Sequence, residues 1–372
     1  MSEIVYEQIT VARLADYAKA AASRFPHDGI VAISQHRAQA HGHNPDARPD
    51  DVALIVARRG GVCVGYVGLV PGVLRTPVGP ARVHYISTWN VSDEARGSGI
   101  GPKLIEEAMH GRDLIGTGSS DLAIKRFLKM GFVSPVLRYC RIDLTKTNLL
   151  GRALKRLRPG LAPAAQRWAS PIVERAARTV KTLLYSASRR MRRTGMSVAY
   201  ELPALDQFDV KKMYGFHRSD AVIHWMLDHP WVLVPAVKNF YDNSYRFTSY
   251  AERFEYRCFS LELGQNTIGY AICSAVRKSD RTIVKLLDHA SHRNIDGDLL
   301  SIVLRYAATV EADQIEIPEA LRACFSSTDP IKRLARPVER AYFCRPASDR
   351  SPLAMALPHL KLAYGDADIP YA

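Results

Sequence analysis

Apolar positions change their spacing repeatedly along the first 145 residues, and each change marks an element. The runs Val52–Arg58 and Gly61–Val70 are rich in β-branched residues and joined by a turn, which predicts two strands. Arg82–Val91 predicts a third. After it, Leu104, Ile105, Ala108 and Met109 recur at the spacing of a helix with one apolar face. Asp113–Thr117 then predicts a short strand, and Asp121–Met130 a helix that stops at Gly131-Phe132. Beyond residue 197 the order returns. Val198–Leu205 predicts a strand, Val210–Leu227 a helix, and Cys258–Leu263 with Thr267–Val276 a hairpin turning at Gly264-Gln265-Asn266. Thr282–His289 predicts a strand, Asp298–Val310 a helix and Gln314–Ile317 a last strand, so the chain reads as two mixed-sheet domains of related layout.

One connection carries chemistry. Val91-Ser92-Asp93-Glu94-Ala95-Arg96-Gly97-Ser98-Gly99-Ile100-Gly101-Pro102 runs from strand to helix through three glycines at alternate positions. Such a turn lets backbone N–H groups approach an anion closely, and the helix behind it adds the positive end of its dipole. Arg96 adds a side-chain charge, and Pro102 suits a first helical turn, where a missing N–H costs nothing. A Walker loop needs Gly-Lys-Ser/Thr, which is absent, and a Rossmann turn needs a longer βαβ unit with an acidic ribose ligand.

The pattern Val-x-x-x-x-Arg-Gly-x-Gly-Ile-Gly resembles motif A of the GNAT acyltransferases, and Ser120-x-x-Ala123-x-x-x-Phe127-x-x-x-Gly131-Phe132 resembles their motif B. The resemblance covers residues 1–145 and reaches the second half only in layout. It implies an α/β (α+β) chain in a tandem arrangement, with a degenerate second copy. It also implies acetyl-CoA as co-substrate, without a metal. The pyrophosphate would lie on Arg96, Gly97, Ser98, Gly99, Ile100 and Gly101. The family's polarising amide maps to Trp89, Asn90 and Val91, and Ser120 stands where an Asn often contacts pantetheine.

Catalytic residues are less legible. Direct acyl transfer needs a polarised thioester carbonyl and an acceptor stripped of its proton. The strand Arg82–Val91 holds no carboxylate, so His84 is its one side chain titrating near neutrality and the candidate base. Phe127 occupies the position of the family's motif B Tyr and cannot serve as acid, which leaves Tyr139 or Tyr85 for that role. The stretch His36–Asp51, with His36, His41, His43, Asp46, Asp50 and Asp51, lies where the family places acceptor-binding elements. Its His41-x-His43 spacing fits no standard zinc site, so a polar acceptor loop is the favoured reading.

Charge changes the picture in one place. The chain of 372 residues carries a formal +14, and residues 145–196 hold thirteen Lys or Arg against the single acid Glu174. Within them Ile172, Val173, Ala176, Val180, Leu183, Leu184, Ala187 and Met191 recur at helical spacing beside Arg175, Arg178, Lys181, Arg189, Arg190, Arg192 and Arg193. A shorter piece with Leu150, Leu154, Leu157 and Leu161 precedes Trp168. A basic amphipathic helix suits an anionic membrane surface. The same stripe also suits packing between domains, with its arginines solvated. Nucleic acid ranks last because aromatics are not interleaved with the basic residues.

Six scattered cysteines show no metal-ligand or paired spacing and read as buried thiols, while the lack of a long apolar run or signal core predicts a cytoplasmic protein. In the second copy, Ser291-His292-Arg293-Asn294-Ile295-Asp296-Gly297-Asp298 replaces the phosphate turn. Two carboxylates there would repel a pyrophosphate, so this copy is expected not to bind CoA. Phe216-His217-Arg218, Trp225 and His229-Pro230-Trp231 read either as sugar- or anion-gripping groups or as core. The expected organisation is a GNAT domain over 1–145, a basic helical linker over 146–196 and a degenerate GNAT-like domain over 197–372. The expected function is acetyl-CoA-dependent transfer to an amino sugar or hydroxyl of a membrane-associated glycan intermediate. Acetylation of a protein or small amine, and a non-catalytic CoA-responsive module, stand beside it.

Overall fold

The computed structural model describes residues 3–76, 79–147, 179–189, 196–205, 208, 215–216, 218–234, 240–279, 281–291, 295–360, 362 and 366. In chain order the elements begin β1 (Ile4–Thr10), α1 (Val11–Arg24), α2 (Gln35–Gly42), β2 (Val52–Arg59), β3 (Val62–Thr76), β4 (Gly79–Val91), α3 (Ile100–Met109), β5 (Leu114–Thr117), α4 (Asp121–Lys129) and β6 (Val136–Asp143). They continue with α5 (179–189), β7 (Met196–Ala199), β8 (Gly215–Phe216), α6 (Asp220–Asp228), β9 (Val232–Leu233), α7 (Phe240–Ser244) and β10 (Ser249–Tyr250). Last come β11 (Arg253–Leu263), β12 (Asn266–Lys278), β13 (Arg281–Ser291), α8 (Asp296–Thr309), β14 (Gln314–Pro318), α9 (Pro330–Leu334), β15 (Ala335–Arg345) and α10 (Pro352–Ala356).

These elements form two compact units whose boundaries differ from cuts at 145 and 197. The first comprises Met1–Leu137, Lys211–Tyr250 and Arg340–Ala372, and the second Arg138–Val210 and Ala251–Glu339. The halves of the chain exchange segments. Tyr342–Arg345 of β15 pair antiparallel with β5 in the first unit, whereas Tyr139–Asp143 of β6 pair antiparallel with β14 in the second. Both closing strands have ordinary strand patterns, and pairing across the chain leaves no local signal of which sheet each completes.

In the first unit β1 to β4 run antiparallel, β5 is parallel to β4, and the end of β15 follows. Strand β2 is buried on both faces, and its period of two divides its side chains between two cores. Leu54 and Val56 join Leu14, Ala18 and Ile33 from the α1 and α2 side, and Tyr241 and Tyr245 pack into this same core. Ile55 and Ala57 join Ile100, Leu104, Ile105 and Phe127 from the α3 and α4 side, with Phe343. Asp113 anchors the C-terminal segment, its carboxylate accepting the Ala347 N–H at 2.7 Å and the Leu353 N–H at 3.2 Å.

The second unit repeats this layout. β7, β11, β12 and β13 run antiparallel, α8 follows, and β14 is parallel to β13. Each copy even carries a bulge on its fourth strand, at Ser87 in β4 and at Leu287 in β13. Of the replaced turn, His292, Arg293 and Asn294 lie outside the described residues, as do residues 210–214 and 217 of the helix expected over Val210–Leu227 and the shorter basic piece with Leu150 and Trp168. Within that expected helix Gly215–Phe216 is instead strand β8, paired with β3. The helix read over Val210–Leu227 is observed at α6.

The basic amphipathic stretch is corrected where it is described. Over α5, Leu184 and Ala187 are fully buried in the core of the second unit, and Val180, Leu183 and Tyr185 pack against that core. Ser188 is buried as well, its Oγ 3.0 Å from Ser301 Oγ. Lys181 and Arg189 stay exposed. An apolar face already covered by protein cannot also enter lipid, so this part of the stripe is no membrane anchor. Ile172, Val173, Ala176, Met191 and Arg190, Arg192 and Arg193 lie outside the described residues. No helix among the described residues is long and apolar enough to cross a membrane.

Candidate active site

Strands β4 and β5 pair only from His84 opposite Leu114 to Ile86 opposite Gly116. There the bulge at Ser87 leaves one residue of β4 without a ladder partner on β3, since Gly68 faces Thr88 and Leu69 faces Ile86. Beyond it the two strands line one cleft of about 880 Å³, Thr88–Val91 on one side and Thr117–Ser120 on the other. Its base is aromatic: the Trp89 and Phe127 rings lie 5.3 Å apart, and Phe343 stacks on Phe127 at 4.1 Å.

The glycine-rich turn opens into this cleft. Gly97 and Gly99 both have φ of 83°, a left-handed conformation that costs any residue with a Cβ about 1–2 kcal/mol. Gly101 has a different reason: a Cβ there would lie 3.2 Å from the Trp89 ring. Gly99 caps α3, and its carbonyl accepts the Lys103 N–H at 3.2 Å. The first N–H groups of a helix have no acceptor within it. Pro102 has none to offer, so the Ile100 and Gly101 N–H groups are the donors left for an anion. Arg96, Arg126, Lys129 and Arg246 line the cleft; no carboxylate lines it among the described residues, though Asp93, in the same turn, pairs with Arg96 at 2.8 Å. Four cations, helix N–H donors and an apolar slot fit the pyrophosphate and pantetheine arm of a CoA thioester.

The structure places Trp89, Asn90, Val91, Arg96, Gly97, Gly99, Ile100, Gly101 and Ser120 around the cleft. Ser98 turns its hydroxyl back onto the Ala95 carbonyl at 2.6 Å. Ser120 caps α4 by accepting the Ala123 N–H. The bulge, however, falls at Ser87 rather than at Trp89–Val91.

His84 is corrected. It does not line the cleft but lies buried on β4, its Nε2 4.0 Å from Asp51, which pairs with Arg82. Burial pushes its pKa down to about 4, so it is a weak base at neutral pH. Tyr139 belongs to the second unit, where it is buried and its hydroxyl accepts from Arg141 at 2.8 Å. It does not line the cleft either.

Of the stretch expected as a polar acceptor loop, His36–Gly42 belongs to α2 and residues 43–51 are turns and loop; α2 and the chain just before it are held by Trp225, Pro230 and Tyr241. His36 Nε2 lies 2.7 Å from the Pro230 carbonyl, Trp225 donates to Ala40 O at 2.7 Å, and Tyr241 donates to Ile33 O at 2.9 Å. Trp225 and Trp231 are therefore core residues, and Arg37 stacks on the Trp231 ring at 3.7 Å. Among the described residues no three His, Cys, Asp or Glu side chains group to hold a metal.

Sequence reasoning missed Ser87, Thr88, Arg126, Lys129, Arg246 and Phe247. Arg126 and Lys129 sit one turn apart on α4, a signal that was present. Arg246 and Phe247 come from the second half of the chain and carried none.

A bulged strand splayed from its neighbour, beside a glycine-lined helix N-terminus, forms the cleft of an acyl-CoA acyltransferase. Residues 17–132 match the family described as acetyltransferase (GNAT), and this part of the chain is a GNAT domain. No curated protein sequence matches the chain. A solved GCN5-related N-acetyltransferase from Anabaena variabilis is 10% identical with a TM-score of 0.53, over 93% of this chain and 73% of that one. Saccharomyces cerevisiae N-myristoyltransferase, solved with myristoyl-CoA and inhibitors, is 10% identical with a TM-score of 0.50, over 92% and 80%. A tandem GNAT protein from the clavulanic acid biosynthesis pathway is 15% identical with a TM-score of 0.46, over 93% and 99%. At these identities the likeness concerns the fold.

Proposed function

We propose that this chain transfers an acetyl group from acetyl-CoA to the amine of a small acceptor, using the first unit alone for CoA. The observation that carries the reading is the cleft itself: left-handed glycines, free helix N–H groups and cations where β4 and β5 part. Bound acetyl-CoA supplies an activated acyl group. Arg96 and the N–H groups of Ile100 and Gly101 would hold its pyrophosphate, and Trp89 and Phe127 would exclude water from the arm. The backbone around the Ser87 bulge is unpaired in the ladder, so it supplies the donor that polarises the thioester carbonyl.

No His, Asp, Glu, Cys or Tyr lines the cleft among the described residues. The proton of the acceptor amine therefore passes to solvent. The burial of α5 favours a soluble amine, with an amino sugar among the candidates, over a membrane-bound glycan intermediate. The test is thiol release from acetyl-CoA against a panel of amines and hydroxyl acceptors. Acceptor-dependent thiol release supports the reading. CoA binding without release for any acceptor would favour a CoA-responsive binding module.

A further inference from the structure

Beside the cleft, within the first unit, several hydrogen-bond donors are buried without acceptors. Tyr66 is fully buried on β3 and its hydroxyl has no partner. Arg37 is 5% exposed, and its Nε has none. Ser87 Oγ, at the bulge, has none either. Tyr245 joins them: its hydroxyl is hydrogen-bonded to Thr88, which lines the cleft, and to Arg37. The Tyr66 ring lies 6.1 Å from that of Tyr245 and 6.4 Å from that of Phe247, another cleft residue. The positive charges of Arg37 and Arg246 both act on the Tyr66 hydroxyl.

Every orphan in this group can donate: the hydroxyls of Tyr66 and Ser87 also accept, and Arg37 Nε donates only. A buried donor without an acceptor is costly, and a buried guanidinium without a carboxylate more so. Asp242 is buried on α7, but its carboxylate accepts the Gln35 N–H at 2.6 Å. What the group lacks is an anion.

We propose that the acceptor amine carries an anionic oxygen group, a carboxylate or a phosphate, seated by Arg37, Tyr66, Tyr245 and Arg246. The proposal rests on the acetyltransferase reading and names its substrate class. It excludes polyamines and other polycations, which Arg126, Lys129 and Arg246 in the cleft would repel, while Arg96 is paired with Asp93 at 2.8 Å. The seat also gives the inserted segment a role. Tyr245, Arg246 and Phe247 come from the second half of the chain and complete the acceptor side of the first unit.

The experiment uses the full chain with acetyl-CoA and matched acceptors at constant ionic strength. The pairs are phenylalanine with phenylalaninamide, glutamate with glutamine, and glucosamine 6-phosphate with glucosamine; spermidine is the polycation. We expect the anionic member of a pair to show a kcat/KM at least about tenfold higher, the pair that responds telling carboxylate from phosphate. In Tyr66→Phe and Arg246→Gln that ratio should fall at least about fivefold, through KM. Ratios near one, a preference for spermidine, or variants that slow both members equally would overturn the proposal.

A second readout needs no turnover. With CoA saturating, acetate or inorganic phosphate should raise the Tm of the wild type more than chloride does, and Tyr66→Phe should lose that excess. No excess over chloride overturns the anion seat, whereas absence of CoA binding overturns the acetyltransferase reading instead.

Discussion

Replacing Gly99 by Asp tests the proposed phosphate turn at an exposed position, the N-cap of α3. A Cβ at Gly99 meets nothing within 4 Å, so the change is sterically free, and the φ of 83° costs about 1–2 kcal/mol in both the free and the bound protein. That strain lowers stability and leaves affinity alone. Affinity falls for two other reasons. An Asp at a helix N-cap accepts the N–H groups of the first turn, the donors the pyrophosphate would use, and a charge-assisted bond of that kind contributes about 1.5–3 kcal/mol. Its charge also repels the ligand by about 1 kcal/mol at 4 Å in water and about 4 kcal/mol at an effective dielectric of 20. Even the lower figures total about 2.5 kcal/mol, a loss of roughly 70-fold in Kd. Calorimetric titration with CoA measures it, with Gly99→Ala as the uncharged control, expected to lose much less. Affinity for CoA within threefold of the wild type in Gly99→Asp would refute the placement of the pyrophosphate. Gly297→Asp in the second unit should leave CoA affinity intact, and titration should give one CoA per chain.

Three further outcomes are expected. His84, with its pKa pushed down to about 4, and His41, pushed down to about 3, stay neutral in the fold, yet both charge in the unfolded chain below about 6.5. The unfolded chain then binds more protons, so stability should fall as pH drops from about 6.5 towards 4; His84→Gln should flatten that slope in thermal melts while leaving the pH–rate profile unchanged. Leu184→Ala should destabilise the second unit by about 2–5 kcal/mol in denaturant titrations, whereas Arg189→Gln should stay within about 0.5 kcal/mol; a Leu184→Ala protein of unchanged stability would return the α5 stripe to the surface. A Cβ at Gly116 would lie 2.1 Å from the Phe343 ring, so Gly116→Ala should lower the Tm and Phe343→Ala should rescue part of that loss, and strict additivity in this double-mutant cycle would deny the pairing of β15 with β5.

Periodicity was a good guide wherever an element depends on its own neighbours. α3 and α4 match their sequence expectations because a three-to-four-residue stripe can bury itself in only one way, and β2 matches as a short β-branched run, whereas β3 extends to Thr76, past its expected end at Val70. The glycine-rich turn was legible for a similar reason, since left-handed φ and close approach to Trp89 are demands on single positions. Catalytic roles were not. His84 met the criterion of a titrating side chain on the right strand, but which wall a side chain faces near a bulge depends on the bulge, and the register shift at Ser87 is a property of two strands.

The sequence by itself determined the two-copy layout, the glycine-rich turn, the absence of its glycines at the matching place in the second copy and the uneven charge, all of them consequences of local pattern and composition. Tertiary structure alone decided the rest. It gave most of β6 to the second unit and the end of β15 to the first, placed Trp225, Pro230 and Trp231 against α2, and turned the apolar face of α5 inward. Each of those outcomes depends on burial and pairing between residues far apart in the chain. A strand or an amphipathic helix specifies that it must be covered, and only the packed chain specifies by what.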